Sequence, residues 1–120
     1  MTQETDSKVL LKDSNLRGAS YNNQKDVRIV SEDGRVDDGD VTISKKAAEQ
    51  VTWHAHGSDG ATIEFSTADG SPFYESVFRV PAAGSVTSGP AMPSAVVDKY
   101  YKYTVKGKTG STDPGVIIHN

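Results

Sequence analysis

Apolar residues along this chain come in short runs broken by Gly, Pro, Asp and Asn. KVLLK (8–12) gives way to the long polar segment DSNLRGASYNNQKD (13–26). VRIVS (27–31) stops at EDG, and VTISK (41–45) follows an acidic loop. EQVTWHA (49–55) stops at HGSDG, ATIEFS (61–66) at TADGSP, and SVFRV (76–80) at PAAG. After SGPAMPSA (88–95) come KYYKYTVK (99–106) and VIIH (116–119). Short β-branched and aromatic runs between turn residues predict an all-β chain folded as a sandwich of seven to nine strands. No stretch holds a helical period over three turns, apart from a single turn near residues 93–98.

Alternation assigns the faces, because successive side chains on a strand point to opposite sides. Val51, Trp53 and Ala55 share one face, and Thr52, His54 and His56 the other. Ala61, Ile63 and Phe65 oppose Thr62 and Glu64, and Tyr101, Tyr103 and Val105 oppose Tyr100, Lys102, Thr104 and Lys106. Two sheets, each with one wet face, satisfy all three patterns. The expected core is Val27, Ile29, Val41, Ile43, Val51, Trp53, Ile63, Phe65, Phe78, Tyr101, Tyr103, Val105, Val116 and Ile118. The phase of 116–119 stays open, because Ile117 is equally apolar.

The order of these pieces resembles a cupredoxin, the Greek-key β-sandwich of blue copper proteins. The resemblance rests on VTISKKAAEQVTW (41–53), SPF (71–73), SGPAMPSA (88–95), YKYTV (101–105) and DPGVIIH (113–119), and covers about residues 27–119. It implies a Greek-key, cupredoxin-like fold. Its copper does not carry over. A blue copper site needs two imidazoles, a thiolate and a weak axial ligand. The aromatic strand here runs into Val105, Lys106, Gly107 and Lys108, and the place of the family's first histidine holds Ala61 and Thr62. The expectation is therefore a cupredoxin-like scaffold with no blue copper and no other cofactor.

A chain of 120 residues fits one domain, 1–120, with residues 1–8 frayed. Such a chain buries roughly two-thirds of its unfolded surface, enough for one core. The net charge of −3 gives no general attraction to nucleic acid. No apolar run approaches the ~20 residues that span a bilayer. Cysteine is absent, which removes disulfides, thiolate nucleophiles and sulfur-bound metals. MTQETDSK has no basic or apolar leader pattern, so the sequence as it stands reads as cytoplasmic, or as periplasmic or secreted if a leader was removed.

Candidate chemistry is sparse. His54 and His56 lie about 7 Å apart on one strand face by strand geometry. With a third ligand they could take Zn²⁺ or Cu²⁺, and Glu64, on the expected hairpin partner, is the nearest; His119 is a further one. The competing reading, two histidines on a solvated face, is preferred for want of a third ligand. SEDGRVDDGD (31–40) is acidic but lacks calcium-loop spacing. DSNLRG (13–18) fits that spacing better, yet puts Arg17 and Gln24 at ligand positions. Turn chemistry alone accounts for the Asp and Gly in both loops. KYYKYTVKGK (99–108) alternates basic and aromatic residues, which suits an anionic sugar or single-stranded nucleic acid through Tyr100, Lys102 and Lys106. Ordinary strand solubilisation explains the lysines more simply. Gly107-Lys108-Thr109 lacks the upstream glycine of a phosphate loop, and no catalytic triad or serine elbow is spaced in the chain. The function expected is a non-catalytic module that binds a protein or glycan. A divalent-metal protein is the alternative, and nothing favours an enzyme with a loop-built site.

Overall fold

The computed structural model describes residues 23–57 and 59–120. The frayed residues 1–8, the run KVLLK and the loop DSNLRG lie outside the described residues. Nine strands follow: β1 (Gln24–Arg28), β2 (Asp40–Ser44), β3 (Gln50–His54), β4 (Ala61–Phe65), β5 (Val77–Val80), β6 (Ser85–Thr87), β7 (Tyr100–Lys106), β8 (Ser111–Thr112) and β9 (Gly115–His119). They form two sheets. One has the order β2-β9-β7-β4-β5, with the short β8 on β7; the other is β1-β3-β6. No helix among the described residues is long and apolar enough to cross a membrane. In place of the expected helical turn, Ala95 N–H bonds Met92 C=O and Lys99 N–H bonds Val96 C=O as two separate turns.

Register sets the core. Ile63 pairs with Val105 and Phe65 with Tyr103 across β4–β7. Val116 pairs with Tyr101 across β9–β7. In the parallel β2–β9 pair Val116 meets Val41 and Ile118 meets Ile43. In the smaller sheet Val27 pairs with Trp53 in parallel, and Trp53 with Val86. All these side chains point between the sheets, because the pleat has period two. Every residue expected in the core is buried, joined by Phe73, Val80 and Ala95. Val116 and Ile118 settle the last strand's phase, leaving Ile117 on the outer face.

Trp53 and Tyr103 meet at the centre. Trp53 stands edge-on to Phe65, Phe73 and Tyr103, with ring centroids 6.4, 6.5 and 5.6 Å away. Its indole N–H donates to Tyr103 Oη at 3.2 Å. Burial pushes the Tyr103 phenol up to about 12, against the lowering effect of that bond.

Two expectations are corrected. EQVTWHA and ATIEFS do not form a hairpin, since β3 and β4 belong to different sheets. Both present an inward row to the same core, so alternation alone cannot tell a hairpin from two strands facing across it. Thr52, assigned to the wet face, is buried at 5% exposure. It lies on the middle strand of its sheet, opposite Asp26 on one side and Thr87 on the other. Its hydroxyl has no hydrogen-bond partner among the described residues.

Ala83 sits at φ 56° in the turn closed by Gly84 N–H to Pro81 C=O. Left-handed backbone costs a residue with a Cβ more than it costs glycine. Ala83→Gly is expected to stabilise the fold by roughly 0.5–1 kcal/mol. Tyr103→Phe leaves the buried indole N–H unpaired and is expected to cost about 1–3 kcal/mol. Urea unfolding of both variants beside the wild type checks the two signs.

Candidate functional site

The histidines expected to share a ligand do not converge with the third residue. His54 ends β3, and His56 lies exposed beyond the strand end. The parallel β1–β3 register places Asp26 opposite Thr52, one pleat from His54. Asp26 Oδ1 lies 2.9 Å from His54 Nε2 and accepts a second bond from Gln24 Nε2 at 2.9 Å. The His54 bond, more than Gln24, holds the Asp26 carboxyl below its ordinary 3.8, against the opposing effect of partial burial. Glu64 stands on the larger sheet and pairs with Lys106 at 3.0 Å. His119 closes β9, whose direction, antiparallel to β7, carries it to the opposite end of the sandwich from the start of β4. Among the described residues no three His, Asp or Glu side chains could hold one metal ion.

The end of the sandwich where β4 begins and β7 finishes is closed by backbone. Thr109 N–H donates to Glu32 C=O at 2.9 Å, and Gly107 N–H to Gly110 C=O at 2.8 Å. Thr112 Oγ1 donates to Gly34 C=O at 2.6 Å. A Cβ on Gly107 would collide with the Glu32 carbonyl, so the loop 31–35 can lie against β7 only because this residue is glycine. Asp33 braces that loop: the Arg35 backbone N–H and guanidinium bond its carboxylate and hold it below the usual range.

The outer face of the larger sheet carries two open grooves. The first, of about 470 Å³, is lined by Glu64, Ser66, Thr67, Lys102, Thr104 and Asp113. The second, of about 390 Å³, is lined by Arg35, Val36, Asp40, Tyr100, Thr112 and Asp113. Asp113 belongs to both. It accepts from Thr104 Oγ1 at 2.8 Å and lies 3.8 Å from Lys102 Nζ. Asp40 Oδ1 accepts from the Gly115 N–H at 2.9 Å and from Tyr100 Oη at 3.1 Å. Burial, then the Asp40 carboxylate, raises the Tyr100 phenol above its ordinary value. The Tyr100 ring lies over Gly115, where a Cβ would strike it, yet the residue is 43% exposed.

The outward set Tyr100, Lys102, Thr104 and Lys106 was readable from alternation. Asp113 and Asp40 were not. Asp113 lies in the sequence between the runs 99–106 and 116–119 and Asp40 at the end of the acidic segment 31–40, and only the β2–β9–β7 order brings them beside that set. Asp26 escaped notice for the same reason, since a parallel pairing gives no local sign. Fold and grooves together define an all-β sandwich with a polar, side-chain-lined outer face. Comparison with protein-family models and with curated proteins finds no match for this chain.

Asp26 has a depressed folded pKa, so its contribution to stability is present above the unfolded value and is lost as pH falls through the folded one. The pair is partly exposed, which limits its worth to roughly 0.2–1 kcal/mol. Asp26→Asn should therefore be less stable than wild type at about pH 5 to 6, and the gap should close below about pH 3. Urea unfolding across that range reads it; a gap that widens in acid contradicts the assignment. Calorimetric titration of the metal-stripped chain with Zn²⁺ and Cu²⁺ is expected to give the same result for wild type and for His54→Ala/His56→Ala.

Proposed function

We propose that this chain is a non-catalytic binding module on a cupredoxin-like, Greek-key scaffold without a blue copper centre. The path of the chain supports the scaffold. It passes from β1 in the small sheet to β2 in the large one, back to β3, across to β4 and β5, back to β6, and across again to β7–β9. Two parallel pairs, β1–β3 and β2–β9, result from those crossings. The missing copper centre is supported by the residues at the relevant end. Ala61, Thr62 and Val105–Lys108 offer no imidazole or thiolate, and glycine backbone fills the space beside them.

The observation that carries the binding reading is the pair of grooves meeting at Asp113 on the outer face of the larger sheet. Their volumes fall within the range of small-ligand sites. Asp40, Tyr100 and Thr104 project from the sheet and Thr104 ties down the Asp113 carboxylate, which keeps these groups in place before a ligand arrives.

Two measurements test this. Stoichiometric Cu²⁺ should give no intense visible absorption, since no thiolate is present to supply it. A strong band would overturn the scaffold's copper-free assignment. Labelled chain is then applied to an array of immobilised glycans and proteins. Whatever retains it should release Lys102→Glu/Thr104→Arg and keep Thr87→Arg, which alters the outer face of the smaller sheet. The reverse pattern would move the binding surface to the other sheet.

A further inference from the structure

We infer that the outer face of the larger sheet takes an uncharged, hydroxyl-rich oligosaccharide, lying extended across β4, β7, β9 and β2. This rests on the binding reading above and names its ligand class. Charge is the first argument. Among the described residues, both cations that line the grooves already have a carboxylate: Arg35 has Asp33 at 3.2 Å, and Lys102 has Asp113 at 3.8 Å. Lys106, next along the face, has Glu64. An anionic ligand would have to break one of these pairs while facing the carboxylates of Glu64, Asp113 and Asp40. A neutral polyol faces no such cost, because it offers both donors and acceptors.

The groove chemistry matches a polyol group by group. Ser66 and Thr67 supply hydroxyls that can donate, Ser66 Oγ already accepting from the Ala68 N–H, while Thr104 and Thr112, whose hydrogens go to Asp113 and the Gly34 carbonyl, keep lone pairs that accept. A carboxylate such as Asp113 has two oxygens and about four lone-pair sites, of which Thr104 and Lys102 use part. The remainder can accept from a pair of neighbouring sugar hydroxyls. Tyr100 adds a ring already pinned over Gly115 and hydrogen-bonded to Asp40, so stacking a sugar's C–H face on it costs little side-chain freedom. Three strand spacings separate β4 from β2, about 14 Å in all, which suits several linked rings better than one.

A protein partner fits less well. Protein interfaces centre on a cluster of desolvated apolar anchors. Among the large apolar residues that the described part of the chain exposes, this face contributes only Val77 and Tyr100. Nucleic acid fits worse, since its affinity comes from cations available to neutralise phosphates.

The test uses the full ¹⁵N-labelled chain and four probes: β-1,4-linked hexamers of glucose, mannose and xylose, and an anionic oligogalacturonate. At least one neutral hexamer should shift the amides of Tyr100, Lys102, Thr104 and Asp113 as it is titrated. Tyr100→Ala and Asp113→Asn should each weaken that binding by about tenfold or more, while Tyr100→Phe, which keeps the ring, should weaken it less than about threefold. The amide spectrum of each variant shows whether it is folded. Should Tyr100→Ala unfold, Asp113→Asn and Tyr100→Phe carry the comparison. Shifts at these amides from oligogalacturonate alone would overturn the neutral-sugar inference and leave the binding face standing. Shifts confined to the smaller sheet would overturn both. Silence from all three neutral hexamers overturns this inference, and the array comparison then decides the binding face separately.

Discussion

The hydrogen bond between the Trp53 indole and the Tyr103 hydroxyl joins the two sheets at the centre of the core. Trp53 belongs to β3 in the small sheet and Tyr103 to β7 in the large one, and both are fully buried. Each brings a polar atom where no water reaches, and the phenol oxygen accepts the proton that the indole N–H must donate. Apolar packing alone would tolerate small slides of one sheet over the other. The bond does not, because its geometry is directional. Fixing Tyr103 inward fixes Tyr101 and Val105 inward with it, and turns Tyr100, Lys102, Thr104 and Lys106 out. The chemistry of the outer face is thus set by a contact in the core. A one-residue slip of β7 would turn Lys102, Thr104 and Lys106 towards the core and remove the groove together with the core.

Asp40 exercises a similar control at the sheet's other side. Its Oδ1 holds the Gly115 N–H at the first rung of the parallel β2–β9 pair and also holds the Tyr100 hydroxyl. One carboxylate oxygen therefore fixes where β2 joins the sheet and how the exposed ring lies. Gly115 completes the arrangement, since any side chain there would displace the ring. Lys45 plays the corresponding part at the far end of β2. Its ammonium bonds the Ala95 carbonyl at 2.8 Å and so ties the strand to the loop 88–99. These residues stand at strand ends, and their roles come from topology rather than from local pattern.

That difference decides what could be read from the chain. Alternation in VTISK, ATIEF and YKYTV has a physical cause within each strand, and it delivered the inward residues correctly. The strand expected at 27–31 shows the limit. The structure places β1 at Gln24–Arg28, with Ile29 just past its end, bonded through its N–H to the His54 C=O at 3.0 Å and in an isolated bridge to Val36. Polar QKD did not look like strand, yet it pairs along β3 in parallel register. The two shortest strands, SVT and ST, carry too few residues to show a period at all. Which strands pair is a non-local property. The sequence therefore revealed the outward residues of β7 but not Asp40 and Asp113 beside them, and revealed His54 but not Asp26. The same gap explains Glu64. It is outward on its strand as read, but its strand lies in the other sheet from the histidines.

The two kinds of surface on this sandwich differ in how freely they can change. At the end near Gly107 and Gly34, backbone meets backbone, and a Cβ on either glycine would meet a carbonyl. Any new side-chain chemistry there must first break the loop's own hydrogen bonds, so that end resists acquiring a site. On the outer face of the larger sheet, Glu64, Tyr100, Lys102 and Thr104 project from strands whose inward neighbours hold the core. Residues such as Lys102 and Thr104 can be exchanged without moving Ile63, Tyr103 or Val105. Binding and folding are thereby assigned to alternate residues of the same strands, and the period of two that builds the core also leaves the face free to be shaped by a ligand.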